Sequence, residues 1–169
     1  VMNKPEGYVC ARFNKPQEDG AKKQKSAFSL LSFLNLSPRI EATLFTIGRL
    51  EDDTAGLLLF TNDTEFRDKI TKAKNPIPQV FLVRILKPLT DVQHRALKSG
   101  IKIEIEEGAK KSEFLSKPTK VEVDVEDRCN LFITMEEKKR DQIRKTIAAI
   151  GNEVIELKRI SIGGLTLKS

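Results

Sequence analysis

Short apolar runs separated by polar turns recur along the chain, and most of them alternate apolar and polar residues with a period of two. Such alternation is typical of strands that turn one face toward a core. The pattern predicts strands over 43–47, 57–60, 79–86, 101–105, 119–125, 130–135 and 154–167, the last broken at Gly163 and Gly164. Residues 106–112 are charged and contain Gly108, so we predict a turn there.

Longer periodic segments between the strands predict helices, and cap residues mark their ends. The predicted helices cover 27–34, 64–72, 90–98 and 141–150, with caps at Ser26, Thr64 and Thr90 and with stops at Gly100 and Gly151. Strands outnumber helices and often follow one another directly. This order predicts an α+β fold with a mostly antiparallel sheet.

Residues 14–26 are polar and basic and show no period, which predicts a flexible loop. Two interpretations of this loop stay open. It is either a solvated linker, or a basic arm in which Lys22, Lys23 and Lys25 dock on phosphates and become ordered when a nucleic acid binds.

The composition limits the class of protein. With 169 residues and 39% hydrophobic content, the chain can form one sizeable core or two small lobes that share a cleft. Lys and Arg number 30 against 24 Asp and Glu, a formal charge of +6 that favours a polyanionic partner without establishing one.

Several site types are excluded by what the chain lacks. Cys10 and Cys129 lie far apart in sequence and do not form a disulfide framework or a metal-ligand pattern, and a single histidine, His94, argues against a His-rich zinc site and a Ser-His-Asp triad. We expect His94 to be a solvated helix residue. The apolar runs fall short of the ~18–20 residues that span a bilayer, and no signal peptide is visible, so we expect a cytoplasmic protein without metal.

Residues 48–63 hold the densest chemical signal, Gly-Arg-Leu-Glu-Asp-Asp-Thr-Ala-Gly-Leu-Leu-Leu-Phe-Thr-Asn-Asp. Three carboxylates, Glu51, Asp52 and Asp53, stand just before an apolar run suited to a buried strand. Placing carboxylates at the mouth of a buried strand costs free energy, unless the carboxylates form ion pairs or have a function. The alternative for three acids alone is a surface acidic turn.

The residue order in 48–63 resembles the active-site motif of the RNA pseudouridine synthases that modify ribosomal RNA, Gly-Arg-Leu-Asp-x-x-Thr-x-Gly-Leu-Leu-Leu-Leu-Thr-Asn-Asp. The spacing to Thr54 and Gly56 places Glu51 where the family has its nucleophilic aspartate. The likeness continues in the family order through blocks at 3–10, 79–83, 86–89, 116–123, 141–152 and 157–165.

This resemblance implies an isomerisation of uridine to pseudouridine in RNA that needs no cofactor. Glu51 takes the aspartate position, and Phe81 takes the position of the tyrosine that stacks on the uracil. Arg144 takes the position of the basic residue that pairs with the carboxylate, and Arg49 matches the arginine of the motif. For Arg49 the alternative is a local salt bridge with Asp52 or Asp53, and for Arg144 it is a helix-surface position.

Further residues are candidates for binding the substrate. These are Thr54, Ile143, Lys22, Lys23 and Lys25. The expected fold is the pseudouridine synthase fold: α+β, with a mixed, mostly antiparallel sheet, flanking helices and two lobes around a central cleft that holds Glu51, Phe81 and Arg144. We expect one catalytic domain over 1–169, without the RNA-binding domain that often precedes it, acting as a monomer on RNA.

Two functions follow from the departures at positions 51 and 81. In the first, the protein is a synthase that uses Glu51, or with less support Asp52, as its carboxylate. In the second, it is an inactive family member that binds RNA or assists ribosome assembly. Glu51 keeps the charge but adds a methylene, and a displacement of about 1 Å can cost about 100-fold in rate. A third alternative, a structural or protein-interaction domain, has little support because the chain carries the motif and a basic charge.

Overall fold

The computed structural model describes residues 1–13, 24–72, 74, 76–107, 110–136 and 139–167. Over these residues the chain divides into two units, Val1–Asn75 and Pro76–Lys168. This division agrees with the two lobes expected from the sequence. The predicted lysines Lys22 and Lys23 lie outside the described residues.

In the first unit, a buried strand organises the sheet. The elements are β1 (Met2–Lys4), β2 (Tyr8–Val9), β3 (Lys25–Ser26), a 3-10 helix (Ala27–Leu34), α1 (Pro38–Thr43), β4 (Phe45–Ile47), β5 (Ala55–Thr61) and α2 (Thr64–Thr71). β1 pairs antiparallel with the first half of β5, and β4 pairs antiparallel with the second half. Leu57 and Leu58 of β5 are completely buried, which accounts for the continuous apolar run of the motif.

Three local features of the first unit differ from the sequence-based predictions. Asp63, rather than Thr64, caps α2, because its Oδ1 accepts a hydrogen bond of 2.9 Å from the backbone N–H of Phe66. Helix α1 was not predicted, although Ser37 caps it and Pro38 occupies its first turn. β3 lies at the end of the predicted loop 14–26, where it pairs in parallel with β2.

The second unit is built on an antiparallel sheet. Its elements are β6 (Gln79–Ile85), α3 (Asp91–Ser99), β7 (Ile101–Glu107), β8 (Lys110–Ser116), β9 (Lys120–Val123), β10 (Asn130–Met135), α4 (Gln142–Ala149), β11 (Val154–Ile162) and β12 (Leu165–Thr166). The strand order is β12-β11-β6-β10-β9, and β7 pairs with β8 as a separate hairpin. Val83, Leu97, Leu131 and Ile147 are completely buried in one core that joins the sheet to α3 and α4. The α+β class and the mostly antiparallel pairing are confirmed.

The predicted turn over 106–112 is too wide, because β7 continues to Glu107 and β8 begins at Lys110, while residues 108 and 109 lie outside the described residues. Lys111 on β8 explains why so charged a segment forms strands. Its Nζ lies 3.1 Å from a carboxylate oxygen of Glu104 and 3.4 Å from one of Glu106, both on β7. Opposite charges across an antiparallel pair stabilise the pairing. The hydrogen bond and charge of Glu104 also raise the pKa of Lys111.

The helix ends of the second unit follow the prediction closely. Thr90 and Gln93 form a capping box at the start of α3, and Gly100 ends that helix. Asp141 precedes α4 in a left-handed backbone conformation, with φ of +53°. His94 is half-buried instead of solvated, because its Nε2 lies 3.1 Å from the carbonyl oxygen of Val121.

Candidate active site

The turn that carries the three carboxylates is fixed by its own backbone and by the β1–β2 connection. The N–H of Thr54 donates to the carbonyl of Glu51 over 3.2 Å, and the N–H of Gly7 donates to the carbonyl of Asp52 over 2.7 Å. Gly48 enters the turn with φ of +71°, a conformation that disfavours any residue with a Cβ. Leu50 directly precedes Glu51, and its buried side chain anchors the start of the turn. The acids are therefore held in place by the backbone.

The three carboxylates make different contacts. Glu51 Oε2 accepts a hydrogen bond of 2.8 Å from Arg49 Nη2. Asp52 Oδ1 accepts from the N–H of Asp53, and Asp53 Oδ1 accepts from the hydroxyl of Thr54, both over 3.1 Å. Asp52 and Asp53 thus form hydrogen bonds within the turn, and Glu51 pairs with the guanidinium of Arg49. The alternative that Arg49 pairs with Asp52 or Asp53 is replaced by this pairing with Glu51.

Exposure distinguishes the two members of the Arg49–Glu51 pair. The side chain of Glu51 is 23% exposed, and that of Arg49 is 68% exposed. An ion pair this open to water contributes only about 0–1 kcal/mol to stability. Its main effect is to hold the carboxylate in one orientation while leaving part of it accessible.

Thr54 and Lys4 support the turn from inside the first unit. Thr54 is 4% exposed, so its side chain is used mainly within the turn, and its predicted contact with substrate stays a prediction. Lys4 is 0% exposed, and its Nζ donates to the carbonyls of Pro5 and Tyr8 over 2.9 and 2.6 Å. Burial lowers the pKa of Lys4, and nearby negative groups, including Asp52, oppose this. Sequence reasoning missed Lys4, although it belongs to the block at 3–10.

In the second unit, Phe81 and Arg144 lie on the elements that flank the core. Phe81 is a half-buried residue of β6, in register with Ile133 of β10 and Arg159 of β11. Arg144 is a half-buried residue of α4, and its Nη1 donates to the carbonyl of Val154 over 3.1 Å. This placement replaces the alternative of an arginine on the solvated helix surface.

The remaining predicted substrate-binding residues have defined places where the structure describes them. Ile143 is buried in the core of the second unit, and its predicted contact with substrate stays a prediction. Lys25 is exposed on β3, with its Nζ 5.7 Å from the centroid of the Tyr8 ring. This distance permits a cation–π contact.

A buried polar cluster holds α4, and the sequence analysis did not find it. Ser116 is 0% exposed, and its Oγ lies 3.0 Å from Gln142 Nε2 and 2.8 Å from Thr146 Oγ1. The cluster ties the first turns of α4 to the end of β8. Arg144 lies between Gln142 and Thr146, so these contacts help to set its position.

Two features are absent from the residues that the structure describes. Among the residues that the structure describes, no group of three or more His, Cys, Asp or Glu side chains is arranged to hold a metal ion. Within the same residues, no helix is both long and apolar enough to cross a membrane.

The mostly antiparallel α+β fold, with a turn of carboxylates directly before a buried strand, is the fold expected of a pseudouridine synthase. The chain belongs to the RNA pseudouridylate synthase family, which it matches over residues 1–149. A solved structure described as a pseudouridylate synthase superposes on 99% of this chain and 63% of its own, with a TM-score of 0.76 and 25% identity.

Curated relatives give the same assignment. An uncharacterized RNA pseudouridine synthase of Bacillus subtilis is 31% identical over 169 residues, covering 99% of this chain and 63% of its own length. The ribosomal small subunit pseudouridine synthase A of Escherichia coli is 31% identical over 167 residues, covering 99% and 64%. The chain thus spans less than two thirds of the length of these relatives.

Proposed function

We propose that this chain carries RNA pseudouridine synthase activity and converts uridine to pseudouridine in ribosomal RNA. The observation that carries the proposal is the position of Glu51. It occupies the family's aspartate position, in a turn fixed by backbone hydrogen bonds, with its carboxylate 2.8 Å from Arg49 and partly accessible.

The reaction is an isomerisation, so it needs no oxidant and no second substrate. The bond between C1′ of the ribose and N1 of uracil breaks, the base rotates, and C1′ bonds to C5. The hydrogen on C5 is released, and N1 gains a proton. In this scheme the Glu51 carboxylate acts on the sugar or the base, and its 2.8 Å contact with Arg49 orients it.

The target base must first leave its stack, at a cost of a few kcal/mol. Phe81 offers a ring on which a uracil could stack, worth about 1–3 kcal/mol. Because Phe81 lacks a hydroxyl, protons in this scheme move through Glu51 or water. In this scheme Arg144 supplies a second positive charge for the reaction, in addition to that of Arg49. The common cleft predicted for Glu51, Phe81 and Arg144 stays a prediction.

The proposed partner is ribosomal RNA, because relatives covering 99% of the chain are named ribosomal small subunit synthases. The proposed working state is a monomer in the cytoplasm, where such RNA is assembled into ribosomes. One catalytic domain over 1–169 is also proposed, with the basic segment 14–26 contributing to RNA binding.

A second function is favoured by a specific observation, the combined change at two family positions. Glu51 has an extra methylene and Phe81 lacks the tyrosine hydroxyl. A protein with both changes that retained the fold could bind RNA or assist ribosome assembly without catalysing the isomerisation.

The deciding experiment compares Glu51→Ala, Glu51→Asp and Asp52→Ala by tritium release from ribosomal RNA labelled at C5 of uridine. We expect Glu51→Ala to reduce the rate at least about 100-fold, while Glu51→Asp and Asp52→Ala stay active. Loss of activity in Asp52→Ala but not in Glu51→Ala would assign the carboxylate to Asp52. A wild-type protein that binds the RNA but releases no tritium would support the second function.

A pseudouridine map of ribosomal RNA from cells with and without the gene gives the same answer in vivo. We expect one site to disappear on deletion and to return with the wild type but not with Glu51→Ala. An unchanged map would contradict the proposed activity.

A further inference from the structure

A basic groove on the second unit lies away from the motif residues in sequence. Its cavity has a volume of about 610 Å³. Three lysines from three segments line it, Lys98 of α3, Lys117 of the β8–β9 connection and Lys120 of β9. We call this cavity, with those three lysines, the lysine groove.

The charge of the lysine groove is only partly compensated. Lys120 Nζ lies 2.9 Å from a carboxylate oxygen of Glu122, which also lines the groove. Within the described part of the chain, Lys98 and Lys117 form no ion pair. The groove therefore presents two uncompensated positive charges beside one neutralised pair.

The backbone around the lysine groove is firmly held. Lys117 stands between two buried residues, Ser116 and Pro118. The N–H of Thr119 donates to the carbonyl of Thr134 over 2.9 Å. A Cβ added at Gly100 would lie 3.5 Å from the Cβ of Lys117, so the end of α3 approaches the connection closely. The backbone that carries Lys117 is thus held in place before any ligand binds.

A contribution to fold stability accounts for only part of the clustering of the three lysines. Lys98 lies in the last turn of α3, where any cation interacts favourably with the helix dipole. That effect does not explain why Lys117 and Lys120 line the same cavity. Like charges brought together by separate elements repel each other, and a bound anion removes the repulsion.

We propose that the lysine groove binds the phosphodiester backbone of the RNA substrate. This deepens the proposed function and depends on it for the identity of the polyanion. The lysines and Thr119 are exposed, while Pro118 and Val121 are buried. An open groove of this kind suits a passing strand better than an enclosed small molecule. Lysines act on phosphates as point charges, so the contribution is to affinity, independent of base sequence.

The first test measures binding of a fluorescein-labelled oligouridine strand as a function of salt. The variant is Lys98→Glu with Lys117→Glu. The matched control is Arg39→Glu with Lys87→Glu, which makes the same charge change at two exposed residues outside the groove. We expect the plot of log affinity against log salt to become shallower in the groove variant, with a slope about 1.4 smaller in magnitude. We also expect the groove variant to bind about tenfold more weakly near 0.1 M salt. Equal effects in groove variant and control would overturn the proposal.

The second test avoids the risk that a variant misfolds. The wild-type chain is acetylated at lysine with and without RNA, and the modified residues are identified by mass spectrometry. We expect RNA to protect Lys98 and Lys117 more than Lys87. Protection by polyglutamate but not by RNA would overturn the proposal in favour of an acidic protein partner. Absence of protection by either polyanion would also overturn it.

Neither test requires catalysis, so failure of the two proposals can be separated. A chain that releases no tritium but shows groove protection by RNA would retain the lysine groove and lose the proposed activity. A chain that isomerises uridine normally, with no protection at Lys98 and Lys117, would retain the activity and lose the groove.

Discussion

Arg49 and Glu51 are two positions apart, and the guanidinium Nη2 of the first lies 2.8 Å from the carboxylate Oε2 of the second. The turn that follows Glu51 is closed by the hydrogen bond from the N–H of Thr54 to the carbonyl of Glu51. This short-range geometry allows an arginine of the motif to orient the carboxylate without help from distant residues. It also means that the pair can be tested by changing one exposed side chain.

Arg49→Met should separate activity from stability. We expect kcat for tritium release to fall at least about tenfold, because the carboxylate loses its orienting charge. The free energy of unfolding should change by less than about 1 kcal/mol, since the arginine is exposed. Urea unfolding and the tritium assay measure the two quantities. Arg39→Met, an equivalent change at an exposed residue, should leave both unaltered. Unchanged kcat in Arg49→Met would remove this arginine from the mechanism.

Lys4→Met should reveal the cost of burying an amine. Burial lowers the pKa of Lys4 in the folded state below its ordinary value of 10.5. The unfolded chain then binds more protons than the folded chain as the pH rises toward 10.5, so stability rises with pH in this window. Below the lowered pKa the penalty is complete, and above 10.5 it is absent.

The measurement for Lys4 is the difference in unfolding free energy between wild type and Lys4→Met from neutral pH to pH 10.5. We expect the wild type to gain stability relative to the variant as the pH rises, because the variant has no titrating amine at this position. A relative loss would mean that the carbonyls of Pro5 and Tyr8, with Asp52, raise the pKa of Lys4 instead.

Ser116→Ala should destabilise the fold because it breaks the buried cluster with Gln142 and Thr146. A buried donor or acceptor that loses its partner costs about 1–3 kcal/mol. Chemical unfolding checks this, and Ser112→Ala is the control, since Ser112 is an exposed residue of the same strand. The control should stay within about 0.5 kcal/mol of wild type. A neutral Ser116→Ala would show that water or a shifted side chain replaces the lost bonds.

Local signals predicted most of the elements correctly. The apolar run after the motif forms β5, the alternating segments form β6, β9 and β10, and the break at Gly163 and Gly164 separates β11 from β12. Cap residues were informative because a cap is a contact within about three residues. Asp63 shows the limit of that reasoning, since two adjacent residues could both cap α2.

The local pattern predicted β7 up to residue 105, but it did not predict β8. Its charged residues are stabilised by partners on the opposite strand, as the contacts of Lys111 with Glu104 and Glu106 show. The window 106–112 contains Glu106 and Lys111, but the sequence does not show that the two residues face each other across a strand pair. Its charge and Gly108 therefore favour a turn, although the complete pair favours strands.

The sequence by itself determined the α+β class, the carboxylate turn at 48–63 and the family, because these depend on residue order and on contacts between near neighbours. Tertiary structure decided which acid Arg49 faces, that Lys4 is buried beneath the turn, that Ser116 supports α4, and that Lys98, Lys117 and Lys120 line one groove. The physical reason is that burial, hydrogen-bond partners and the accumulation of charge depend on distances in space. Residues far apart along the chain come close only when the fold brings them together.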